Sequence, residues 1–199
     1  MNILMQRNEV DKFESDFWGN CANTYGEERK QLVYASRMGL KLSGDWRSDF
    51  NIDACGKSVI DIGGGPASLL LKCINLSHGC VIDPLVFPDW VYRRYTCAGI
   101  CYEKWRGEDI VVRPGDHTDE CWIYNTLQHV DDPLKIIANA RSIAKVVRLF
   151  DWIDFPPYPG HPHMLTERML KDALSGMGQT ELLNTDGCVG RAFFGVWYA

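Results

Sequence analysis

The sequence lacks an excess of positive charge and any long apolar run. Its 21 lysine and arginine residues are outnumbered by 26 aspartate and glutamate residues, so the formal net charge is -5 at pH 7. Because nucleic-acid binders neutralise phosphates with a basic surface, this balance disfavours a nucleic-acid partner. No stretch approaches the ~20 apolar residues of a membrane-spanning helix, and residues 1–9 turn polar too early for a signal peptide. We therefore expect a cytoplasmic protein that does not act at a membrane.

Metal-site and disulfide patterns are also missing. The eight cysteines contain no Cys-x-x-Cys pair, and no histidine follows Cys97 and Cys101 at zinc-finger spacing. Without a secretion signal, a disulfide framework is not expected. Cys80 and Cys121 lie in apolar runs that are typical of buried strands, where a thiol packs as a small hydrophobe. The cysteines are therefore predicted to be reduced and structural, and no metal site is predicted.

The length of 199 residues suits one domain with some elaboration. Residues 1–56 are predicted to form an N-terminal helical cap, or lid, with one rough helical pattern at 9–18 and a better one at 27–38. Gly39 follows the second pattern and is a typical helix terminator. The remaining residues, 57–199, are predicted to form the compact core of the domain.

Beyond residue 56, short apolar runs alternate with helical patterns. Strands are predicted at 57–62, 80–84, 99–102, 121–124, 146–150, 180–183 and 193–198. Helices are predicted at 67–76, 133–144 and 165–176, and residues 43–56 are predicted to be a connector. The first strand, turn, helix and strand occupy under 30 residues, which is typical of a parallel βαβ unit. This alternation predicts an α/β fold with a doubly wound sheet, in which the last two strands look short.

A glycine-rich turn joins the first predicted strand to the helix after it. Asp61 is the second-last residue of that strand, and Gly63, Gly64 and Gly65 follow the strand in succession. Glycines at such a place let the backbone turn sharply and let a ligand approach closely, and a helix N-terminus presents free N–H groups to it. At the carboxyl end of a central parallel strand, the turn is expected to face a ligand crevice.

Two classes of cofactor use such a turn. The nicotinamide dinucleotide fingerprint is Gly-x-Gly-x-x-Gly with an acidic residue about 20 positions later. Gly63, Gly65 and Asp83 fit that pattern, but Ser68 stands in place of the third glycine. S-adenosylmethionine sites place an acidic residue two positions before the first glycine, and Asp61 fits that position. A carboxylate beside a pyrophosphate has no evident benefit, so the pattern favours S-adenosylmethionine.

The motifs, taken in order, resemble the class I S-adenosylmethionine-dependent methyltransferases, particularly those that act on small molecules. Residues 61–65 resemble the first motif of that family, and residues 81–84 resemble its second strand. Residues 106–109 resemble the stretch after its third strand, residues 119–133 its fourth strand and following loop, and residues 160–167 the helix start after its fifth strand. The resemblance covers about residues 57–180 and implies a mostly parallel, seven-stranded, Rossmann-like sheet.

The resemblance also implies a cofactor site. Gly63, Gly64 and Gly65 would line the methionine part of S-adenosylmethionine, with Asp61 close by. Asp83, followed by Pro84, would accept hydrogen bonds from the ribose hydroxyls, and Glu108 or Asp109 would contact the adenine amino group. The remaining cofactor contacts that we expect are those of Asn125 and Gln128 at the crevice mouth and of Trp18 and Tyr25 as a cover.

Three histidines are candidates for catalysis. The side chain of histidine ordinarily has a pKa near neutrality, which makes His129 a candidate general base; the alternative is a structural histidine that packs and hydrogen-bonds beneath the loop. His161 and His163 follow the rigid run of residues 156–159 and could border the acceptor pocket. The predicted reaction is direct displacement of the methyl group, for which the cofactor supplies the chemistry and the protein supplies alignment.

The methyl acceptor is predicted to be a small polar molecule that is modified at oxygen or nitrogen. Enzymes that methylate exocyclic amino groups of DNA carry Asp/Asn-Pro-Pro-Tyr/Phe after the fourth strand, whereas residues 125–128 read Asn-Thr-Leu-Gln here. Cytosine C5 enzymes need a nucleophilic cysteine after proline, and the sequence has no Pro-Cys. Two alternatives stay open: a non-catalytic partner subunit with this fold, and an NAD(P)-dependent reductase. The oligomeric state also stays open.

Overall fold

The computed structural model describes residues 3–44, 50–111, 117–185 and 188–199, with the side chains given from residue 9 onward. Its helices are α1 (Ile3–Trp18), α2 (Thr24–Arg37), α3 (Asp89–Cys97), α4 (Pro133–Ile143) and α5 (Glu167–Ala173). Its strands are β1 (Leu42–Ser43), β2 (Asn51–Asp53), β3 (Ser58–Ile62), β4 (Cys73–Ile74), β5 (His78–Ile82), β6 (Ile100–Glu103), β7 (Thr118–Tyr124), β8 (Ala144–Ile153), β9 (Gln179–Thr185) and β10 (Cys188–Tyr198).

The main sheet has seven strands in the order β6-β5-β3-β7-β8-β10-β9. The pairs from β6 to β8 are parallel, and β10 runs antiparallel to both of its neighbours. The predicted α/β fold with a mostly parallel seven-stranded sheet is therefore confirmed. The carboxyl ends of β3, β5, β6, β7 and β8 all lie at one edge of this sheet, which is where a doubly wound fold binds ligands.

Each face of the sheet is covered by helices. Alternation along β7 sends Trp122 into the cluster with α2 and α3, and Ile123 into the cluster with α4 and α5. Tyr95 of α3 and Ile136 of α4 are completely buried in these two clusters. Burying an aliphatic side chain such as that of Ile136 contributes about 1.5–3 kcal/mol, so the two clusters hold together the sheet that carries the loops.

The helix predicted at 67–76 is wrong. A single 3-10 turn at Leu69–Lys72 is followed by β4, which pairs with β2 and, through β2, with β1 in a small second sheet. Three consecutive leucines are compatible with a buried helix or an extended segment, so periodicity could not distinguish the two. Pairing with β2 satisfies the backbone groups of this segment without a helix.

Other elements differ from their predicted extents. The connector predicted at 43–56 contains β2, and its residues 45–49 lie outside the described residues. Helix α3 was not predicted, and the last two strands are long, with 7 and 11 residues, because they pair along their full length. Helix α5 is shorter than predicted because Ser175 and Gly176 take up left-handed backbone conformations.

The structure also bears on the cysteines, on membrane-spanning helices and on metal ligands. All eight cysteines are free, and Cys80 and Cys121 are buried, as expected for packing residues. Within the described ranges, no helix is long and apolar enough to cross a membrane. No group of three metal-ligating side chains comes together among the described residues. The division at residue 56 stays a prediction.

Candidate functional site

A cavity of about 410 Å3 lies at the carboxyl edge of the sheet. Its floor is formed by the loops after β3, β5, β6 and β7. Helix α1, which we call the lid, lines the cavity from the other side with Val10, Asp11, Phe13, Glu14, Phe17 and Trp18. The volume falls within the range of small-molecule sites. The edge of the sheet that the sequence predicted for a ligand is therefore the edge that carries the cavity.

The three predicted glycines line this cavity. Gly63 and Gly65 have φ values of +75° and +58°, which is the left-handed region that favours glycine. A side chain at Gly63 would collide with Thr126 of the neighbouring loop. The turn after β3 therefore presents bare backbone to the cavity, and Gly63 requires glycine both for its backbone conformation and for space.

Asp61 lies beneath the glycine turn and does not line the cavity. Its Oδ2 accepts hydrogen bonds from Ser68 Oγ at 2.5 Å and from the Tyr124 hydroxyl at 2.6 Å. Its Oδ1 is buried and has no hydrogen-bond partner. Burial, which these two hydrogen bonds only partly offset, raises the pKa of Asp61 to about 7. A cation bound near the turn would stabilise the ionised form of this carboxyl group and lower its pKa.

Tyrosine hydroxyls accept hydrogen bonds from backbone N–H groups just after the glycine turn, where the sequence predicted the free N–H groups of a helix N-terminus. The Tyr95 hydroxyl accepts from Ser68 N at 3.0 Å and donates to Gly65 O at 2.6 Å. The Tyr124 hydroxyl accepts from Leu69 N at 2.8 Å. The N–H groups of Ser68 and Leu69, at the start of the 3-10 segment that replaces the helix, are therefore occupied by side chains.

Asp83, at the end of β5, lines the cavity beside the glycine turn. Its carboxylate accepts from Gly65 N at 3.1 Å and from Leu85 N at 2.9 Å. Burial raises the pKa of Asp83 to about 6, and the charges of Glu14 and Asp11 on the lid act in the same direction. Each oxygen keeps a further lone pair, so the carboxylate can still accept bonds from a ligand hydroxyl. Pro84 also lines the cavity.

The structure separates the two candidates for the adenine contact. Glu108 is buried and lines the cavity, and its Oε1 accepts from the backbone N–H groups of Asp131 and Asp132 at 2.9 and 3.3 Å. Asp109 is exposed and does not line the cavity. Glu108 therefore connects the loop after β6 to the loop after β7 while it faces the ligand space.

The loop after β7 places Asn125 and Gln128 in the cavity lining. Asn125 has a φ of +50°, a conformation that asparagine tolerates better than most residues. Asp151, completely buried at the end of β8, accepts from Thr126 N at 3.1 Å and from Leu127 N at 2.7 Å. Sequence reasoning missed Asp151, although an acidic residue inside an otherwise apolar strand is a signal for it.

His129 is held between the lid and the loop after β8. Its Nδ1 lies 2.9 Å from Glu14 Oε1 and 2.9 Å from the carbonyl oxygen of Gly160. The ring of His161 stands edge-on to it with the centroids 4.2 Å apart, and the Tyr158 hydroxyl lies 3.0 Å from His161 Nε2. His129 and His161 line the cavity, whereas His163 does not.

The lid reaches several of the loops at the carboxyl edge. Asp11 forms a salt bridge with Arg106 after β6, and Phe13 packs directly against Gly160 after β8. The Trp18 ring lies beside Gly65 and contacts Phe87 edge-on, with the centroids 6.5 Å apart. Tyr25, the other aromatic residue predicted to cover the cofactor, is 72% exposed and lies outside the cavity lining.

The cavity is rich in carboxylates. Among the described residues, its lining contains the carboxylates of Asp11, Glu14, Glu27, Asp83 and Glu108. Of the described residues in the lining, the lysine and the arginine, Lys30 and Arg106, are each bonded to a carboxylate. A cationic ligand group would therefore be favoured in this space.

Several solved methyltransferase structures share this fold. The 1,6-didemethyltoxoflavin-N1-methyltransferase of Burkholderia thailandensis, with bound 1,6-didemethyltoxoflavin and S-adenosylhomocysteine, is 10% identical, with a TM-score of 0.63 over 97% of this chain and 87% of that chain. Magnesium protoporphyrin IX methyltransferase from Synechocystis PCC 6803, with bound S-adenosylmethionine, is 13% identical, with a TM-score of 0.61 over 94% and 97%.

The YcgJ protein of Bacillus subtilis is 12% identical, with a TM-score of 0.52, and the match spans 64% of each chain. No protein-family model matches the sequence, and no curated protein matches it. At these identities the structural likeness establishes the fold, which is the Rossmann-like fold of S-adenosylmethionine-dependent methyltransferases.

Proposed function

We propose that this protein is an S-adenosylmethionine-dependent methyltransferase that transfers a methyl group to an oxygen or nitrogen of a small polar molecule. The observation that carries the proposal is the junction of Gly63–Gly65 with Asp83 at the floor of a carboxylate-rich cavity. A bare glycine backbone allows close approach, and a carboxylate beside it accepts hydroxyl bonds. The surplus of carboxylates suits a ligand that carries a sulfonium and an ammonium group.

The residues present fit this cofactor. Asp83 would hold the ribose hydroxyls, and Gly63, Gly64 and Gly65 would lie along the methionine portion. The carboxyl group of Asp61 lies just beneath the turn with its Oδ1 unpartnered, and a bound ammonium group would favour the ionised form of this residue, whose pKa is raised to about 7. Glu108 would face the adenine amino group.

When bound, the cofactor supplies an electrophilic methyl group on a positively charged sulfur. The protein then has to align an acceptor, exclude water and receive a proton where the acceptor releases one. The lid covers the cavity and would exclude water from it. Asn125 and Gln128 would fix the cofactor at the mouth of the crevice.

His129 is the residue that we propose as the general base. Two oxygen atoms face its Nδ1, so that nitrogen carries the proton and Nε2 is the basic atom of the neutral ring. His161 packs against it, and His161 would act by holding the ring of His129 in place. The side chain of His163 does not line the cavity, so a catalytic role for His163 would require its loop to move.

A reductase is less compatible with the sheet. Dinucleotide-binding sheets of the Rossmann type follow the order 3-2-1-4-5-6 and are mostly parallel. Here the antiparallel β10 is inserted between β8 and β9. The position of the third fingerprint glycine is held by Ser68, whose hydroxyl is bonded to Asp61.

Titration calorimetry with S-adenosylhomocysteine tests the proposal. We expect saturable binding with one site per chain, and no binding at high micromolar ligand would overturn the proposal. Titration with NADH and NADPH in the same buffer tests the reductase. A protein that binds S-adenosylhomocysteine but transfers labelled methyl to no acceptor in a broad panel would be the non-catalytic partner subunit.

A further inference from the structure

One part of the cavity lining has no proposed contact with the cofactor. It is formed by one face of α2 and by the facing ends of β8 and β10, and we call it the acceptor wall. The acceptor wall consists of Glu27, Lys30, Tyr34, Trp152, Phe155 and Cys188.

The α2 side of the acceptor wall is a continuous stripe. Glu27, Lys30 and Tyr34 are spaced by three and four residues, which places them on one face of a helix. Burial raises the pKa of the Cys188 thiol, while the charge of Lys30 lowers it and that of Glu27 raises it. Both charges therefore lie within electrostatic reach of the start of β10, and α2 and β10 face each other across this space.

Three flat side chains border the same space. The Tyr34 ring lies 4.5 Å from that of Phe150, and Trp152 meets Phe150 edge-on at 5.7 Å, so Tyr34 and Trp152 are neighbours around a shared ring. The Tyr34 hydroxyl is buried without a hydrogen bond of good geometry, with the Trp152 side chain beside it. Phe155 packs on Gly190 of β10, where a side chain would displace its ring. Aromatic side chains that line one space suit a planar guest.

The charge on this wall argues against an anionic guest. Lys30 is 2.7 Å from Glu27, and each side chain of this pair is 19% exposed. Arg106, the other basic side chain of lysine or arginine type in the described cavity lining, is bonded to Asp11. A carboxylate on the acceptor would therefore find no unpaired lysine or arginine in the described lining.

We propose that the acceptor wall binds a planar aromatic molecule that is uncharged or cationic, and that it rejects anionic and aliphatic acceptors. The aromatic side chains supply the contact area and attract a positive charge through their ring faces, while Glu27 neutralises Lys30, which would otherwise repel a cation. This inference rests on the proposed function, since it assigns the acceptor of the same reaction.

Three probes test the class of acceptor on protein saturated with S-adenosylhomocysteine. They are 5-hydroxytryptamine, 5-hydroxyindole-3-acetate, which carries the same ring with a carboxylate, and ethanolamine, which has a hydroxyl and an amine but no ring. By ligand-observed NMR and calorimetry, we expect the amine to bind roughly tenfold more tightly than the carboxylate, and ethanolamine not to bind at millimolar concentration.

The inference is overturned when the carboxylate binds as tightly as the amine, when ethanolamine binds comparably, or when neither indole binds. Saturation with S-adenosylhomocysteine is verified first in the same sample. Loss of that binding would contradict the proposed function itself, whereas intact binding with the wrong order of probes contradicts only the assignment of the acceptor wall.

A pair of adjacent variants tests the role of the charge. Glu27→Gln removes the partner of Lys30 and leaves its positive charge unpaired on the acceptor wall. Glu28→Gln alters the next residue, which forms a salt bridge with Arg94 at 2.7 Å and does not line the cavity. We expect Glu27→Gln to reduce the preference for the amine over the carboxylate by roughly tenfold, and Glu28→Gln to leave it unchanged, with S-adenosylhomocysteine binding retained in both. An equal effect of the two variants would contradict the inference.

Discussion

Glu14 on the lid and His129 on the floor of the cavity share a hydrogen bond of 2.9 Å between Oε1 and Nδ1. The carbonyl oxygen of Gly160 lies at the same distance from that nitrogen. Two acceptors on one ring nitrogen fix the proton there, so the position of the lid and the tautomer of His129 are coupled. The lid thus takes part in orienting the ring that we propose as the base.

Replacing Glu14 by Gln tests this coupling. Burial opposes the charged ring of His129, but the hydrogen bond and charge of Glu14 outweigh it, and the pKa of His129 is raised above its usual value. Glu14→Gln removes the negative charge and so lowers that pKa. Because a base must be neutral to accept a proton, we expect the acid limb of the kcat–pH profile to move to lower pH. A less basic ring should also reduce the plateau of kcat by roughly tenfold.

The matched control is Glu9→Gln, which alters an exposed residue of the same helix. It should change neither the plateau nor the acid limb. An acid limb that stays in place in Glu14→Gln would mean that His129 is not the group that titrates.

Asp83 provides a second prediction. Asp83→Ala should weaken S-adenosylhomocysteine binding by at least roughly tenfold, or about 1.4 kcal/mol, because the ribose hydroxyls lose a charged acceptor. Binding to the unmodified protein should also weaken as the pH falls below about 6, where Asp83 gains a proton. Calorimetry at pH 5, 6 and 7.5 measures both effects. Glu103→Gln, an exposed carboxylate at the end of the neighbouring strand β6, is the control and should bind normally.

Buried acids predict an unusual dependence of stability on pH. Burial is the main cause that raises the pKa of Asp61 to about 7 and those of Asp83 and Asp151 to about 6. Between about pH 4 and 7, the folded protein therefore holds protons that the unfolded chain has released, and its free energy of unfolding falls as the pH rises. His161, whose pKa is lowered to about 3 by burial and by His129, acts in the opposite direction and offsets one of the three.

Urea unfolding of the cofactor-free protein at pH 5, 6 and 7 measures this slope. Asp61→Asn should flatten it by up to about 1.4 kcal/mol per pH unit, which is the contribution of one titrating group. Asp172→Asn alters an exposed carboxylate and should leave the slope unchanged. A stability that rises steadily over the same range would contradict the assignment of raised pKa values to these acids.

Gly160 tests the seating of the lid. Its φ is +90°, and a side chain there would run into the ring of Phe13 on α1. Gly160→Ala should therefore displace the lid, expose α1 to proteolysis and weaken S-adenosylhomocysteine binding severalfold. Gly176→Ala introduces the same backbone strain, at a φ of +84°, where a side chain would meet no atom within 4 Å. Both variants should lose roughly 1–2 kcal/mol of stability from the strain, but only Gly160→Ala should loosen the lid, as limited trypsin digestion would reveal.

The glycine turn and the acidic strand end show how far sequence could lead. Gly63, Gly65 and Asp83 were predicted as one ligand site, and the structure brings them into contact through the Gly65 N–H. Local sequence was sufficient to predict this contact, because the glycine turn and the acidic end of β5 are each short motifs of a few residues. The helix predicted after the turn was wrong for the complementary reason, since the pairing of β4 with β2 is a contact between residues about 20 positions apart.

The sequence by itself determined the alternation of strands and helices, the carboxyl edge as the place for a ligand, and part of the lining there, which includes Gly63, Asp83 and Glu108. Only the tertiary structure decided that Glu14 reaches His129, that Asp151 holds the loop after β7, and that Glu27, Lys30 and Tyr34 face Trp152. The physical reason is distance along the chain. Periodicity and turn chemistry act over a few residues, whereas these contacts join segments that are brought together only when the sheet closes and the lid packs over its edge.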